Sequence, residues 1–255
     1  MLLSVRSAVA ATLLAGTALS AAPAFAQDAE APKEITITGN VALTSDYRFR
    51  GVSQSAGDIA IQGGITVSHA SGFYIATWAS SIDLHSDVYG HTEMDLFGGW
   101  TGEVTPGLTL DAGLLYYAYP DGHVGHAEFF EPYASVSGQA GPAKIKLGMN
   151  YAWKQQALPN FAGNKKSDNL YLYGNVDIGI PSTPLTVSGH LGYADGALAP
   201  SYYSTSDRTG FDWSIGASAT IYGPLSLGVS YIGVTGPSVD SYTNDTVVAT
   251  LTATF

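Results

Sequence analysis

The last ten residues, TVVATLTATF, put Val247, Ala249, Leu251, Ala253 and Phe255 on one face of an extended chain and Thr246, Val248, Thr250, Thr252 and Thr254 on the other. Side chains alternate between the two faces of a strand. The segment therefore has an oily side and a mostly hydroxyl-bearing side, and it ends on an aromatic ring. Beyond residue 26 no run of 18 apolar residues occurs, so no transmembrane helix is expected. A chain of alternating strands that crosses a bilayer must close into a barrel, because lipid offers nothing to an unpaired backbone group. An outer-membrane barrel is the expectation these two facts set.

Residues 1–26 have the layout of a secretory signal peptide: Arg6, an apolar stretch from Ala8 to Leu19, and the small-residue site Ala24-Phe25-Ala26. Removal of these 26 residues leaves 229 and moves the formal net charge from -11 to -12. Residues 27–34 then form a short periplasmic leader and 35–255 the barrel. So acidic a chain is a poor partner for nucleic acid, whose phosphates need Lys and Arg. It has no cysteine, hence neither disulfides nor a thiolate metal site. Charged residues make up 12% of the chain, against about 25% in a soluble domain, so a second apolar surface besides a core is expected.

Following the two-residue period between turn signals predicts twelve strands: 35–44, 58–69, 73–82, 92–103, 108–118, 129–138, 143–154, 168–180, 185–194, 211–222, 225–233 and 245–255. The third is ambiguous in phase, since either Phe73/Ile75 or Tyr74/Trp78 could lead its apolar face. The connections alternate. Tight turns such as Ser71-Gly72, Thr105-Pro106-Gly107 and Gly223-Pro224 follow the even strands, and longer polar loops follow the odd ones. That asymmetry between rims, with an even strand count, predicts an all-β, 12-stranded antiparallel up-and-down barrel with short turns and both termini on the periplasmic side.

Alternation alone does not say whether the oily face meets lipid or a soluble core. Three patterns favour lipid. Charges keep to the other phase, as Glu93, Asp95, Asp111, Glu131, Asp177, Asp212, Lys144, Lys146 and Lys154. Apolar-phase aromatics sort by height: Tyr47, Phe49, Tyr116, Phe130, Tyr151, Trp153, Tyr193, Phe211, Trp213 and Tyr231 fall near the loop-side ends, with Trp100 and Phe255 marking a thinner girdle at the other rim. Ring side chains prefer the headgroup level of a bilayer. Finally, the polar phase is rich in Gly, Ser, Thr and Asn, which suits a wet lumen.

The segment Ser45-Asp46-Tyr47-Arg48-Phe49-Arg50-Gly51-Val52-Ser53-Gln54, the stretch Gln62-Gly63-Gly64, the run His69-Ala70-Ser71-Gly72-Phe73-Tyr74 and the EMDLFGGW of residues 93–100 resemble the TorF family of porin-like proteins. The resemblance spans essentially the whole mature chain, with YRFRG its most specific element. It implies an outer-membrane location and a pore role, and it supplies neither a substrate nor catalytic residues. The terminal Phe255 also resembles the signal read by barrel-assembly machinery.

Extending the first strand past Leu43 puts Asp46, Arg48 and Arg50 in the lumen and Tyr47 and Phe49 toward lipid. The two arginines could draw anionic or strongly dipolar solutes to a narrow mouth. Alternatively they could brace the wall by pairing with carboxylates such as Glu93 or Asp95, which is the favoured reading because guanidinium groups in a lumen find carboxylates. The lysines 144, 146 and 154 face an otherwise acidic set and would set up a transverse field or a salt-bridge network. Twelve strands lie between a side-chain-filled eight and an open sixteen, and Tyr117, Tyr133, Tyr171 and Tyr173 would narrow the bore further. His123 and His126 in a loop lack a third ligand for zinc. Ser188 and His190 share a strand face, but on the lumen side and with no third orienting residue. The expected activity is passive diffusion of small polar solutes, with no cofactor and no enzyme chemistry. The competing possibility is a non-conducting structural or surface-interaction barrel working through its loops. Expected partners are outer-membrane lipids, the assembly machinery and the solutes themselves.

Overall fold

The computed structural model describes residues 34–160, 165–200 and 208–255. The expected signal peptide and all but the last residue of the expected leader lie outside them. Twelve wall strands follow in order: β1 (Ile35–Thr44), β2 (Ala60–His69), β3 (Phe73–Ser81), β4 (Thr92–Thr105), β5 (Leu108–Ala118), β6 (Phe129–Ala140), β7 (Ala143–Ala152), β8 (Asn169–Gly179), β9 (Leu185–Gly196), β10 (Thr209–Tyr222), β11 (Leu225–Val234) and β12 (Thr246–Thr254). Each pairs antiparallel with the next, and β12 pairs with β1 to close the barrel. No helix among the described residues is long and apolar enough to cross a membrane.

Closure is completed at the last residue. Beyond the β1–β12 register, from Thr44↔Thr250 to Asn40↔Thr254, the N–H of Gly39 donates to the Phe255 carbonyl (2.7 Å) and the Phe255 N–H to that of Gly39 (2.9 Å). The Phe255 ring lies over the bare Cα of Gly39, where a Cβ would stand 2.7 Å from it. The tight turns on this rim rely on glycines with positive φ, 96° at Gly72 and 82° at Gly107, a conformation that carries no penalty for glycine.

Every wall strand exposes large apolar side chains on its outer face, among them Ile37 and Ile61 (68% each), Ile75 (67%), Leu147 (57%) and Ile215 (60%). A continuous apolar girdle far exceeds the patch a water-soluble monomer tolerates. The inner face carries Thr44, Thr66, Ser80, Ser135 and Thr250, all buried. In β3 the ambiguity resolves: Phe73 and Ile75 point out, while Tyr74 and Trp78 are buried inside. Some inward rings lie flat on the wall, because Gly113 and Gly148 leave space that the Tyr133 and Tyr173 rings fill from the neighbouring strands.

Two expected strand extents are corrected. β7 stops at Ala152, so Lys154 leaves the wall and stands exposed in the following loop. β1 stops at Thr44, where the Thr44 hydroxyl donates to the Asp46 carbonyl and Ser45 exchanges bonds with Ala249. The chain then turns inward instead of continuing as wall.

Leu147→Arg should therefore cost about 2–4 kcal/mol of stability, as a mid-depth charge on a lipid face does. The inward neighbour Lys146→Arg should stay within about 0.5 kcal/mol of the parent. Urea unfolding of the barrel in lipid vesicles measures both.

Candidate functional site: the bore

Residues 45–55 fold into the loop-side half of the bore, and the exposed residues 57–59 lead back to β2. Arg48–Phe49 pairs with Val52–Ser53 as a short ribbon. Its turn is made by Arg50 (φ 49°) and Gly51 (φ 78°), the two successive positive-φ residues that a tight hairpin turn requires. The Asp46 carboxylate organises the base of the ribbon, accepting from Arg48 Nε (2.5 Å), Ser53 Oγ (2.6 Å) and Ser55 Oγ (3.2 Å). Arg48 Nη1 also donates to the carbonyls of Gly51, Tyr242 and Asn244. The ribbon is thus tied to the loop before β12, and the Asp83 N–H, donating to Gln54, ties it to the loop after β3.

At the ribbon's tip Arg50 reaches the opposite wall. Its Nη2 donates to both Glu131 oxygens (2.8 and 2.7 Å), and its guanidinium lies over the Tyr171 ring at 4.2 Å and the Phe49 ring at 4.7 Å. Glu131 is wholly buried and also accepts from Tyr117 Oη and Asn150 Nδ2. Charge-assisted bonds of this kind are the strong ones. Of the two sequence alternatives for the arginines the geometry is the bracing one, although the partners are Glu131 and Asp46 rather than Glu93 or Asp95. Glu93 instead accepts from the hydroxyls of Tyr47 (2.7 Å) and Tyr119 (3.2 Å). Asp95 is buried with Oδ1 unpaired among the described residues.

Two aromatic assignments are corrected here. Tyr47 is 3% exposed and packs on Trp78, and Phe49 packs on Tyr117, so both rings fill the bore and neither faces outward. The cause is the inward turn after Thr44, which cancels any phase inherited from β1. The remaining rings stand on the outer face. Phe130 packs between Tyr116 (4.6 Å) and Trp153 (6.1 Å), Tyr193 against Phe211 (5.0 Å) and Trp213 against Tyr231 (5.4 Å), while Tyr151 Oη donates to Asp168. At the turn rim Trp100 Nε1 donates to the Ser71 carbonyl, and Tyr222, which the pattern did not single out, is 82% exposed.

Toward the turn side the inward groups Asp111, Asp177, Ser188 and His190 are only half-buried. Asp111 Oδ1 accepts from Tyr74 Oη, which also contacts the Tyr133 hydroxyl. Asp177 Oδ1 accepts from Ser188 Oγ (2.7 Å). His190 sits between Asn175 Oδ1 (2.6 Å from Nδ1) and Asp212 Oδ1 (2.7 Å from Nε2), with Tyr171 Oη donating to Asp212. Ser188 and His190 therefore engage different carboxylates and do not form a nucleophile–base pair. Lys144 and Lys146 point inward from β7 and make no hydrogen bond or ion pair among the described residues. In the loops His123 and His126 are exposed. Asp121 accepts from the N–H groups of His91 and Thr92, which hold its carboxyl below the usual carboxylate range.

Sequence reasoning missed Tyr74, Trp78, Tyr119 and Asn150 as anchors. Tyr74 and Trp78 were legible only as the second phase of β3. Tyr119 lies just past the end of β5, where periodicity no longer applies.

Arg50→Met should destabilise the folded barrel by about 3–5 kcal/mol, since it strands Glu131 in a dry site. The double change Arg50→Met/Glu131→Met should recover a large part of that. Urea midpoints in detergent micelles report the coupling, and additive losses would contradict it.

Comparison with known proteins supports the fold. The NanC porin superposes with a TM-score of 0.58 at 10% identity, over 86% of this chain and 99% of that one. A chain solved in work on in-meso crystallization of membrane proteins gives 0.53 at 12% identity, over 86% and 83%. No curated protein matches the sequence. A family profile does match, over residues 26–255, and on that extent the chain belongs to the bacterial protein family of unknown function Gcw_chp.

Proposed function

We propose that this protein is an outer-membrane channel through which small polar solutes diffuse passively, narrowed on its loop side by the inward ribbon of residues 45–55. The observation that carries the reading is the inversion of the barrel: apolar side chains on the outer face of all twelve strands, and hydroxyls, amides and charges within, joined on the loop side by a packed cluster of rings that includes Tyr47, Trp78, Tyr117 and Phe129. Such a cylinder needs lipid outside and water inside. The resemblance to TorF proteins supports the same role. Solutes would pass an uncharged arc of Ser, Thr and Asn on one side and the charged arc of β5–β9 on the other. No covalent step and no cofactor enters.

In this reading residues 1–26 direct export. The outer aromatics Tyr116, Phe130, Tyr151, Trp153, Tyr193, Phe211, Trp213 and Tyr231 sit at the loop-side headgroups, and Trp100 and Phe255 at the other leaflet. Phe255 is the residue offered to the barrel-assembly machinery. One observation favours the second reading, a non-conducting barrel acting through its loops: the Arg50–Glu131 pair and the Tyr47–Glu93 bond pin the ribbon inside the bore.

Planar-bilayer recording of the purified protein discriminates the two. Small reproducible open steps are expected. Replacing residues 46–55 by a short Gly/Ser linker should raise the unit conductance severalfold, since an unfilled bore is wider. Silence of both forms, with folding intact, would favour the structural role.

A further inference from the structure

Most charges that the wall strands send into the bore are already engaged. Glu131 is closed by Arg50, Asp212 by His190 and Tyr171, and Glu93 by two tyrosines. Asp95 is buried. Glu103, at the turn rim, accepts from the Gly107 N–H. Among the described residues four groups remain outside any ion pair in the turn-side half: Asp111 on β5, Lys144 and Lys146 on β7, and Asp177 on β8.

Their arrangement is specific. Lys144 stands directly across the ladder from Asp177, a position from which opposite charges ordinarily pair, yet no ion pair forms between them within 4.0 Å. The Asp177 Oδ1 is instead committed to Ser188, as Asp111 Oδ1 is to Tyr74. In both carboxylates Oδ2 carries no hydrogen bond among the described residues and is not among the enclosed polar atoms. Asp111 flanks Lys146 from the other side across β6, where the two stand opposite Ser135 and Ser137 on one face. Two amines thus sit between two carboxylates whose orientation is set by hydroxyl donors. The far arc, with Ser226, Ser230, Thr252 and Thr66, carries no charge.

The cluster sums to zero, so it gives little advantage to a simple anion or cation. A solute bearing both signs gains at each end. We propose that the turn-side bore is a binding site for small zwitterions of the α-amino acid type, with Lys144 and Lys146 taking the carboxylate and Asp111 and Asp177 the ammonium group. This rests on the channel reading for its role in transport, but not for its chemistry.

Glycine and the size-matched neutral glycolamide serve as probes in two assays, swelling of proteoliposomes and saturation-transfer NMR of the folded barrel. Glycine is expected to enter about threefold faster than glycolamide, the scale of one exposed ion pair. Lys144→Gln/Lys146→Gln should abolish that preference and shift the reversal potential toward cations, whereas Asp111→Asn/Asp177→Asn should shift it toward anions. Equal entry of the two probes into parent liposomes would overturn the site and leave the channel standing. No entry of either, with glycine saturation transfer present in the parent and lost in the lysine double variant, would overturn the channel and uphold the site. Absence of both signals would overturn both.

Discussion

Backbone hydrogen bonding in a medium without water governs this molecule. A strand facing lipid has nowhere to place an unpaired N–H or C=O, so the sheet must return to its first strand. The return is made by β12 on β1, and its last two bonds join Gly39 to Phe255. Once the wall is closed, the two-residue period decides the rest: each residue faces either lipid or the bore, and a shift of one would exchange every oily group for a polar one.

That division leaves the bore with more polar groups than an interior of this size can leave unpaired. The loop-side half deals with them by filling. The ribbon brings the Arg50 guanidinium and the Tyr47 hydroxyl to the wall carboxylates Glu131 and Glu93, closes its own Asp46 with Arg48, Ser53 and Ser55, and has its backbone tied to the loops before β4 and β12. A buried ion pair is costly to form, and much more costly to break singly. It therefore holds one conformation of the ribbon rather than adding much net stability. The turn-side half leaves four charges outside any ion pair among the described residues, so the two halves have different chemistry within one wall.

The wall was almost wholly legible. Twelve strands, their order, the alternation of turns and loops and the outward phase follow from a period that a lipid–water boundary imposes on every residue, and strand ends fall within about two residues of those expected. The ribbon was not legible, because its sequence, Asp46-Tyr47-Arg48-Phe49-Arg50, alternates as a wall strand does. What diverts it is the positive φ of Arg50 and Gly51 and the partners waiting at Glu131 and Glu93. Those contacts lie some 45 to 80 residues away in the chain, beyond the reach of local pattern. Tyr47 and Phe49 were misplaced for the same reason, and Lys154 because a strand's last residues keep the period after pairing has ended.

The most direct measurement is a nitroxide scan along β7, residues 143–152, in lipid vesicles, reading relaxation by dissolved oxygen against that by a water-soluble nickel chelate. Labels at Ile145, Leu147, Met149 and Tyr151 should respond to oxygen, and those at Lys144, Lys146 and Asn150 to whatever water the bore holds, with a two-residue period. Labels at the odd positions shielded from both reagents, with the even ones open to nickel as in bulk water, would mean that the oily face is a core, and would contradict the inverted barrel on which all else depends.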